Sequence, residues 1–461
     1  MSKHFFVIED DYSNKNIIFH APSSSVMLVS EEEIGNDLSD EYFYSRIPNL
    51  VDKTNQFEKA PVVGEGKVSL TFMSTRGCNL QCRYCFAGEG EYGSRVDKPK
   101  KMTCDMYMKT IESVLKLYPE GIKSISLFGG EPLLSLPEIK EFISKSKELY
   151  EKKGVEPPYV GLSTNGTIMN SDIAEFIASN NLAITLSLDG TKMLNDSARK
   201  NEDDAYSVYD KVNECIEKLK EHQITYYIEM TITKKHLEQY KKGEMRKWLD
   251  ELALLDYVNI VIVPVETDVP DLAIKTEEDY QKLDLLAREA TNYFIEELLK
   301  DNPKSASTTF TNTLIQLAKK TAYRGCTAGK HLFIDTDGKI YPCHMFCNDD
   351  YFVLGNINDD VYYIDKMQEN VNIDRSGSEE CSECISQNIC GYWCKGIQYI
   401  SNNDMYKTIK ARCVFQNAIL EEGIKAFSYI GRDKGLCKTF LSNLSKTNDK
   451  VKKNMELRGR K

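Results

Sequence analysis

Cys78, Cys82 and Cys85 fall in the run Arg76-Gly77-Cys78-Asn79-Leu80-Gln81-Cys82-Arg83-Tyr84-Cys85, a C-x3-C-x2-C spacing directly after a short apolar segment. Three thiolates on one short loop can each ligate one iron of a cubane cluster, which leaves the fourth iron open to a substrate or cofactor. An ordinary electron-transfer cubane takes four cysteines. Zinc also needs a fourth ligand, and no His lies near this loop. A second set occupies the C-terminal third. Cys326 comes first, then Cys343 in Gly338-x4-Cys343, then Cys381-x2-Cys384-x5-Cys390-x3-Cys394, and Cys413 after eighteen more residues. A zinc ribbon would explain one C-x2-C pair but not the series. Cys347 lies four residues beyond Cys343. The chain has 14 cysteines, and most fall in or beside these two sets. In a long chain without a recognisable secretion signal, such clusters point to metal or redox chemistry rather than to disulfides. Cys104, Cys215 and Cys437 carry no assignment, and Cys215 reads as core.

Chemistry of this kind needs a rigid frame, and the sequence supplies a regular one. Strand candidates at Val68–Met73, Ser124–Phe128, Tyr159–Ser163, Ala183–Leu188, Thr225–Thr231 and Val258–Val263 alternate with helical patterns at 105–118, 138–152, 172–180, 206–221, 237–254 and 276–299. This alternation predicts an α/β fold with a parallel sheet buried by helices. Six units are too few for a closed eight-stranded barrel, so a partial (β/α)6 barrel is expected, with its chemistry at the C-terminal ends of the strands. Gly129-Gly130-Glu131-Pro132, Ser163-Thr164-Asn165-Gly166 and Ser187-Leu188-Asp189-Gly190 end the second, third and fourth strands, and Arg199 follows the fourth. For Ser163, Asn165, Ser187 and Asp189, turn and capping roles are the alternative to ligand contact.

The C-x3-C-x2-C spacing, with Tyr84 just before the third cysteine and Gly-Gly-Glu one strand later, resembles the signature of the radical S-adenosylmethionine (SAM) superfamily over residues 68–266. The resemblance implies a [4Fe-4S] cluster on Cys78, Cys82 and Cys85. It implies that Gly129, Gly130, Glu131 and Pro132 face the SAM amino group and that Arg199 pairs with the SAM carboxylate. Tyr84, Ser163, Asn165, Ser187 and Asp189 would line the same cofactor site. It also implies reductive cleavage of SAM to a 5′-deoxyadenosyl radical that abstracts a substrate hydrogen. The seven later cysteines resemble the SPASM domain of peptide-modifying radical SAM enzymes. By that likeness Cys381, Cys384, Cys390 and Cys413 hold a distal auxiliary cluster, and Cys326, Cys343 and Cys394 a nearer one, giving three [4Fe-4S] clusters in all. Two readings stay open for the nearer cluster: Cys347 supplies a fourth ligand, or the iron is open to a substrate thiolate. His344 stands where sulfatase maturases place an Asp base. It is either a proton acceptor or a hydrogen-bonded structural residue.

Four regions are expected. Residues 1–65 form a small β-rich module with strands near Phe5–Ile8, Ile17–Phe19 and Val26–Val29, a helix near Asp37–Tyr44 and a linker over Lys53–Gly66. Residues 66–305 form the partial barrel, 306–440 the cysteine-rich SPASM domain, and 441–461 a basic, frayed tail. Leu332–Ile334 and Lys339–Tyr341 flank Asp335-Thr336-Asp337-Gly338 as a hairpin. The first module weakly resembles a peptide-recognition element that binds a precursor's leader. The combined resemblance points to thioether-forming maturases (sactipeptide or ranthipeptide type) of a Cys-rich precursor peptide, with a flavodoxin or ferredoxin as electron donor. The rivals are formylglycine formation, carbon–carbon cross-linking, epimerisation, or a non-catalytic metal-binding scaffold. The 461 residues carry a net charge of −11, which argues against a nucleic-acid partner. No apolar run approaches the ~18–20 residues that span a bilayer, and the first residues lack a signal-peptide layout, so a cytoplasmic protein without a membrane partner is expected.

Overall fold

The computed structural model describes residues 3–457 apart from 12, 14, 31–38, 48–49, 51–59, 89–99, 321 and 323–324. The three predicted N-terminal strands are β1 (Phe5–Glu9), β2 (Lys15–His20) and β3 (Ser25–Ser30), an antiparallel sheet in that order, followed by the helix Asp40–Arg46. The alternation of side chains along these strands divides the module's two faces. Phe5 and Ile18 pack with Phe43 of the helix. Ile8, Ile17 and Phe19 bury against Leu317, Ile385, Ile389, Leu420 and Ile424 of the C-terminal region. Asn388 Nδ2 donates to the carbonyls of Ala21 and Pro22 across the same contact. The first half of the predicted linker over Lys53–Gly66, residues 53–59, lies outside the described residues.

All six predicted barrel strands are present: β4 (Val68–Thr75), β5 (Ile122–Gly129), β6 (Tyr159–Thr164), β7 (Ala183–Ser187), β8 (Tyr226–Ile232) and β9 (Asn259–Pro264). They pair in parallel, in chain order, with Phe72 beside Leu127, Leu127 beside Leu162 and Leu162 beside Ile184. Helices cover the outer face and seal these residues in one core. The helix starts follow side-chain caps: Thr103 accepts from Met106 N, Asn170 from Ile173 N, and Thr276 forms a capping box with Asp279. The helix expected over 237–254 is two helices, Lys234–Gln239 and Glu244–Ala253. They break at Gly243, whose φ of +90° ends helical geometry at a residue that adopts it without strain.

The SPASM region does not form a separate sheet. The predicted hairpin, β10 (His331–Ile334) with β11 (Lys339–Tyr341), attaches to the barrel because β10 pairs in parallel with β4, Leu332 beside Leu70. β12 (Gly355–Asn356) and β13 (Val361–Tyr362) continue the row, giving ten strands with β9 and β13 at the two edges. The sheet is therefore an open partial barrel extended on its first edge by SPASM strands. The C-terminal tail is not frayed along its length. Lys434–Leu457 is one helix, with Phe440 and Leu444 buried against Ile295, Leu298, Leu314, Ala426 and Ile430, so the expected boundary at 440 falls inside a helix. No helix among the described residues is long and apolar enough to cross a membrane.

Candidate functional site

β4 delivers the first cysteine set to the C-terminal edge of the sheet, and β5 delivers Gly129-Gly130-Glu131-Pro132 beside it. A Cβ on Gly129 would stand 2.2 Å from Thr75 O, and one on Gly130 2.2 Å from Gly77 O. Gly130 N donates to Thr75 O (3.0 Å) and Glu131 N to Gly77 O (2.9 Å). The two glycines thus let the loop lie flat against the chain entering the cysteine run. Glu131 is fully buried and N-caps the short helical turn that Pro132 opens. Its carboxylate accepts from Leu133 N (3.1 Å), Thr164 Oγ1 (2.8 Å) and Asn165 N (2.8 Å). Burial raises its pKa to about 7 against the pull of those three donors. Asn165 Nδ2 in turn donates to Asn79 Oδ1 (2.9 Å) and lies 3.8 Å from Cys78 Sγ. Ser163 is half-buried on β6 one residue before Thr164, and the sequence reading had passed over Thr164 itself.

The fourth strand's end forms the densest polar knot. The Asp189 carboxylate is fully buried and accepts from Tyr84 Oη (2.5 Å), Arg199 Nε (2.9 Å), Arg199 Nη2 (3.2 Å) and Thr231 N (2.9 Å). The Arg199 guanidinium also lies over the Tyr84 ring at 5.6 Å. Backbone bonds fasten the cysteine loop to the same place, Gln81 N to Lys200 O (2.7 Å) and Arg83 N to Ala198 O (2.9 Å). Tyr84, Asp189 and Arg199 therefore act together to hold the loop. Ser187 ends β7 opposite Glu229 of β8. Glu229 alternates with the buried Ile228 and Met230, which puts it on the inner face of the sheet. It is accessible there, yet the surrounding protein raises its pKa, with Arg199 opposing the shift.

The SPASM side closes over this edge. His344 packs its ring against Phe128 (4.8 Å), Phe86 (5.5 Å) and Phe333 (6.3 Å). Phe86 directly follows Cys85 and Phe128 directly precedes Gly129, so His344 faces the cysteine loop. Burial, and after it the nearby His331, pushes the His344 pKa down to about 4. Arg76, just before the cysteine loop, is buried in a two-pronged ion pair with the fully buried Asp335 of the hairpin, Nε to Oδ1 3.0 Å and Nη2 to Oδ2 2.5 Å.

The two auxiliary sets gather separately. Cys381, Cys384, Cys390 and Cys413 line one cavity together with Arg375 and Arg412. Cys326 and Cys394 share a hydrogen bond, and a Cβ on Gly396 would stand 3.3 Å from Cys343 Sγ, which brings these three thiols to one place. Cys347 is fully buried in the apolar cluster that contains Cys343, with Arg76 close enough to sense its charge.

These residues fit iron–sulfur clusters and SAM. In the metal-free arrangement burial raises Cys78 to about 12 and Cys82 to about 11, thiols that need a strong cation to hold them as thiolates. Among the described residues no group of three or more His, Cys, Asp or Glu converges on a single-ion site, whereas the four distal cysteines line one shared cavity. When bound, a cluster and SAM supply hydrogen-atom abstraction from an unactivated carbon.

The profile of the radical SAM superfamily matches residues 72–242, and that of the SPASM iron–sulfur cluster-binding domain matches residues 326–385. A cysteine-type anaerobic sulfatase-maturating enzyme of Clostridium perfringens is 24% identical over 335 residues, covering 70% of this chain and 87% of that one. The solved structure of native anSMEcpe with bound AdoMet and the Cp18Cys peptide superposes with a TM-score of 0.61 at 21% identity, covering 83% of this chain and 99% of that one. SuiB of Streptococcus suis bound to S-adenosylmethionine superposes with a TM-score of 0.53 at 15% identity, covering 90% and 99%. The first match spans the cysteine loop and the glycine turn, the second spans Cys326, Cys343, Cys381 and Cys384 of the later set, and the chain is a radical SAM superfamily enzyme with a SPASM domain, SAM and [4Fe-4S] clusters being its cofactors.

Proposed function

We propose that this enzyme matures a ribosomally made peptide by joining a Cys sulfur to a carbon of another residue. The observation that carries the reading is the placement of His344 in a pocket of Phe86, Phe128 and Phe333, facing the cysteine loop from the SPASM side. Burial keeps this imidazole neutral, and it can take the proton of a substrate Cys thiol if that thiol is made acidic by binding at the nearer auxiliary site. In the reaction a C–H and an S–H bond break and one C–S bond forms. The carbon would give its hydrogen atom to the deoxyadenosyl radical that bound SAM supplies, the thiol its proton to His344, and the one remaining electron would pass to an auxiliary cluster held by the SPASM cysteines. A precursor's leader is taken to add a strand to the open edge of the β1–β2–β3 sheet, a known way of capturing extended peptides. The electron donor is taken to be a flavodoxin or ferredoxin. Support from relatives is general: SuiB shares the fold over 90% of the chain, and anSMEcpe has been solved with a bound peptide.

The test is a Cys-containing precursor peptide incubated anaerobically with the reconstituted enzyme and followed by mass. The expected product lacks two hydrogens per link, and a precursor with its cysteines replaced by Ala is left unchanged. Continued loss of two hydrogens from the Cys-free peptide would remove the thioether reading. His344→Gln is expected to keep SAM cleavage and lose at least tenfold in cross-link yield, within the range of general-base catalysis. The 24% identity to the Clostridium perfringens enzyme favours a second reading, oxidation of a substrate Cys to formylglycine. It would appear in the same assay as conversion of a sulfatase-derived Cys peptide with loss of sulfur.

A further inference from the structure

Arg375 is one of the largest fully buried side chains in the protein. It sits on the short turn Arg375–Gly377, whose start is capped by Asp374 accepting from Ser376 N. Its Nε donates to Gln387 O (2.5 Å) and its Nη1 to Cys390 O (3.4 Å). The guanidinium therefore hangs among the loops that carry the distal cysteines, and it lines their cavity. Its other end reaches the nearer cysteine set. A Cβ on Gly325, the residue before Cys326, would stand 3.3 Å from Arg375 Nη1, 3.3 Å from Cys390 O and 3.7 Å from Trp393 O. Gly325 has φ +82°, so that position favours glycine for its backbone as well as for its lack of a side chain. Arg375 thus occupies the septum between the two auxiliary sites.

The cavity around the four distal cysteines has a one-sided charge. Arg375 and Arg412 line it, and among the described residues no carboxylate does. Arg412 is held in place by donating to Tyr392 O (3.1 Å) and lying over the Tyr392 ring at 5.6 Å. A cubane on four thiolates carries a net negative charge that grows by one on reduction. A fixed cation beside it in a low-dielectric site stabilises the reduced form more than the oxidised one. Arginine suits this task because it stays charged when buried, whereas a buried lysine sheds its proton readily.

We propose that Arg375 is a positioning and tuning residue for the auxiliary clusters, a permanent cation in the septum that raises the reduction potential of the distal cluster. The inference rests on the cluster-binding role of Cys381, Cys384, Cys390 and Cys413 and is independent of which peptide reaction the enzyme performs.

The experiment is an anaerobic redox titration followed by electron paramagnetic resonance. It uses the full-length protein in the Cys78/Cys82/Cys85→Ala background, so that only the auxiliary clusters contribute. Arg375→Gln is expected to retain the iron of its parent and to lower the equilibrium constant for reduction of the distal cluster tenfold or more, 59 mV for a one-electron couple. Arg375→Lys, titrated at acidic pH where the buried amine keeps its proton, is expected to hold the potential closer to that of the parent. An unchanged potential in a fully loaded Arg375→Gln protein overturns the proposal. If Arg375→Gln fails to load iron, Arg375→Lys decides. Loading with a near-parental potential supports the role of charge, and failure of both variants to load shows a purely structural role and overturns it.

Discussion

Replacing Asp189 by Ala is expected to lower SAM cleavage at least a hundredfold while leaving the C-terminal clusters assembled. Four hydrogen bonds converge on this one buried carboxylate, from Tyr84, twice from Arg199, and from Thr231 N. Arg199 is itself buried. Removing Asp189 strands a guanidinium in the interior, a loss of about 3–5 kcal/mol when one partner of a buried pair is deleted. At 1.36 kcal/mol per factor of ten, that is ample for the expected fall if the strain is expressed at the cysteine loop. The loop is where it should be expressed, because Tyr84 belongs to the loop and the backbone bonds of Gln81 and Arg83 run to the segment Ala198–Lys200. Asp189→Asn preserves the shape and some hydrogen bonds, so its defect should be smaller. The readout is 5′-deoxyadenosine formed per enzyme under strong reductant, with iron content measured alongside. Wild-type cleavage by Asp189→Ala would show that the knot does not hold the loop.

The second large effect concerns the seam between the barrel and the SPASM hairpin. Asp335→Ala is expected to destabilise the holoenzyme by about 3–5 kcal/mol, because Arg76 is left buried without its carboxylate. The pair Arg76→Met with Asp335→Leu should recover most of that loss, since apolar residues of similar size often replace a buried ion pair without penalty. Anaerobic denaturant unfolding of Arg76→Met, Asp335→Leu and the double variant gives the coupling energy directly. Equal and additive losses, with no recovery in the double variant, would mean that the ion pair does not join the two parts. The pair matters to function because Arg76 leads straight into the cysteine loop while Asp335 starts the turn that leads to Cys343 and His344. One contact sets the spacing between the barrel edge and the SPASM face.

Much of this was legible in the sequence, for local reasons. The six barrel strands are short runs that alternate buried apolar residues with half-buried ones, a period the sequence carries, and Thr103, Asn170 and Thr276 mark helix starts by their own side chains. The glycines at 129 and 130 could be read because their demand is steric and lies next to the cysteine motif. What escaped was non-local. Nothing in His331–Ile334 says that it pairs with Val68–Thr75 some 260 residues earlier. The basic composition of the C-terminus hid Phe440, Leu444 and Asn443, whose Nδ2 donates to Leu298 O (3.0 Å) and Lys300 O (2.8 Å) and helps fasten the last helix. The sequence leaves Asp189 open between ligand contact and a local structural role, and the partners Tyr84, Arg199 and Thr231 of its carboxylate come from three separate segments that only the fold brings together. Arg375 lies in a polar stretch that looks like a surface loop, and only the folded chain shows it buried between two cysteine groups. Gly243, an ordinary residue on paper, splits a helix that periodicity alone joins.

One SAM-cleaving cluster on Cys78, Cys82 and Cys85 is expected to work beside two auxiliary clusters on the later cysteines. Iron and sulfide content after anaerobic reconstitution, measured with SAM cleavage for the wild type and the Cys78/Cys82/Cys85→Ala variant, tests it most directly. The account predicts about twelve irons falling to about eight, four per cubane, with cleavage abolished. An unchanged iron content, or SAM cleavage that survives in the variant, would contradict it.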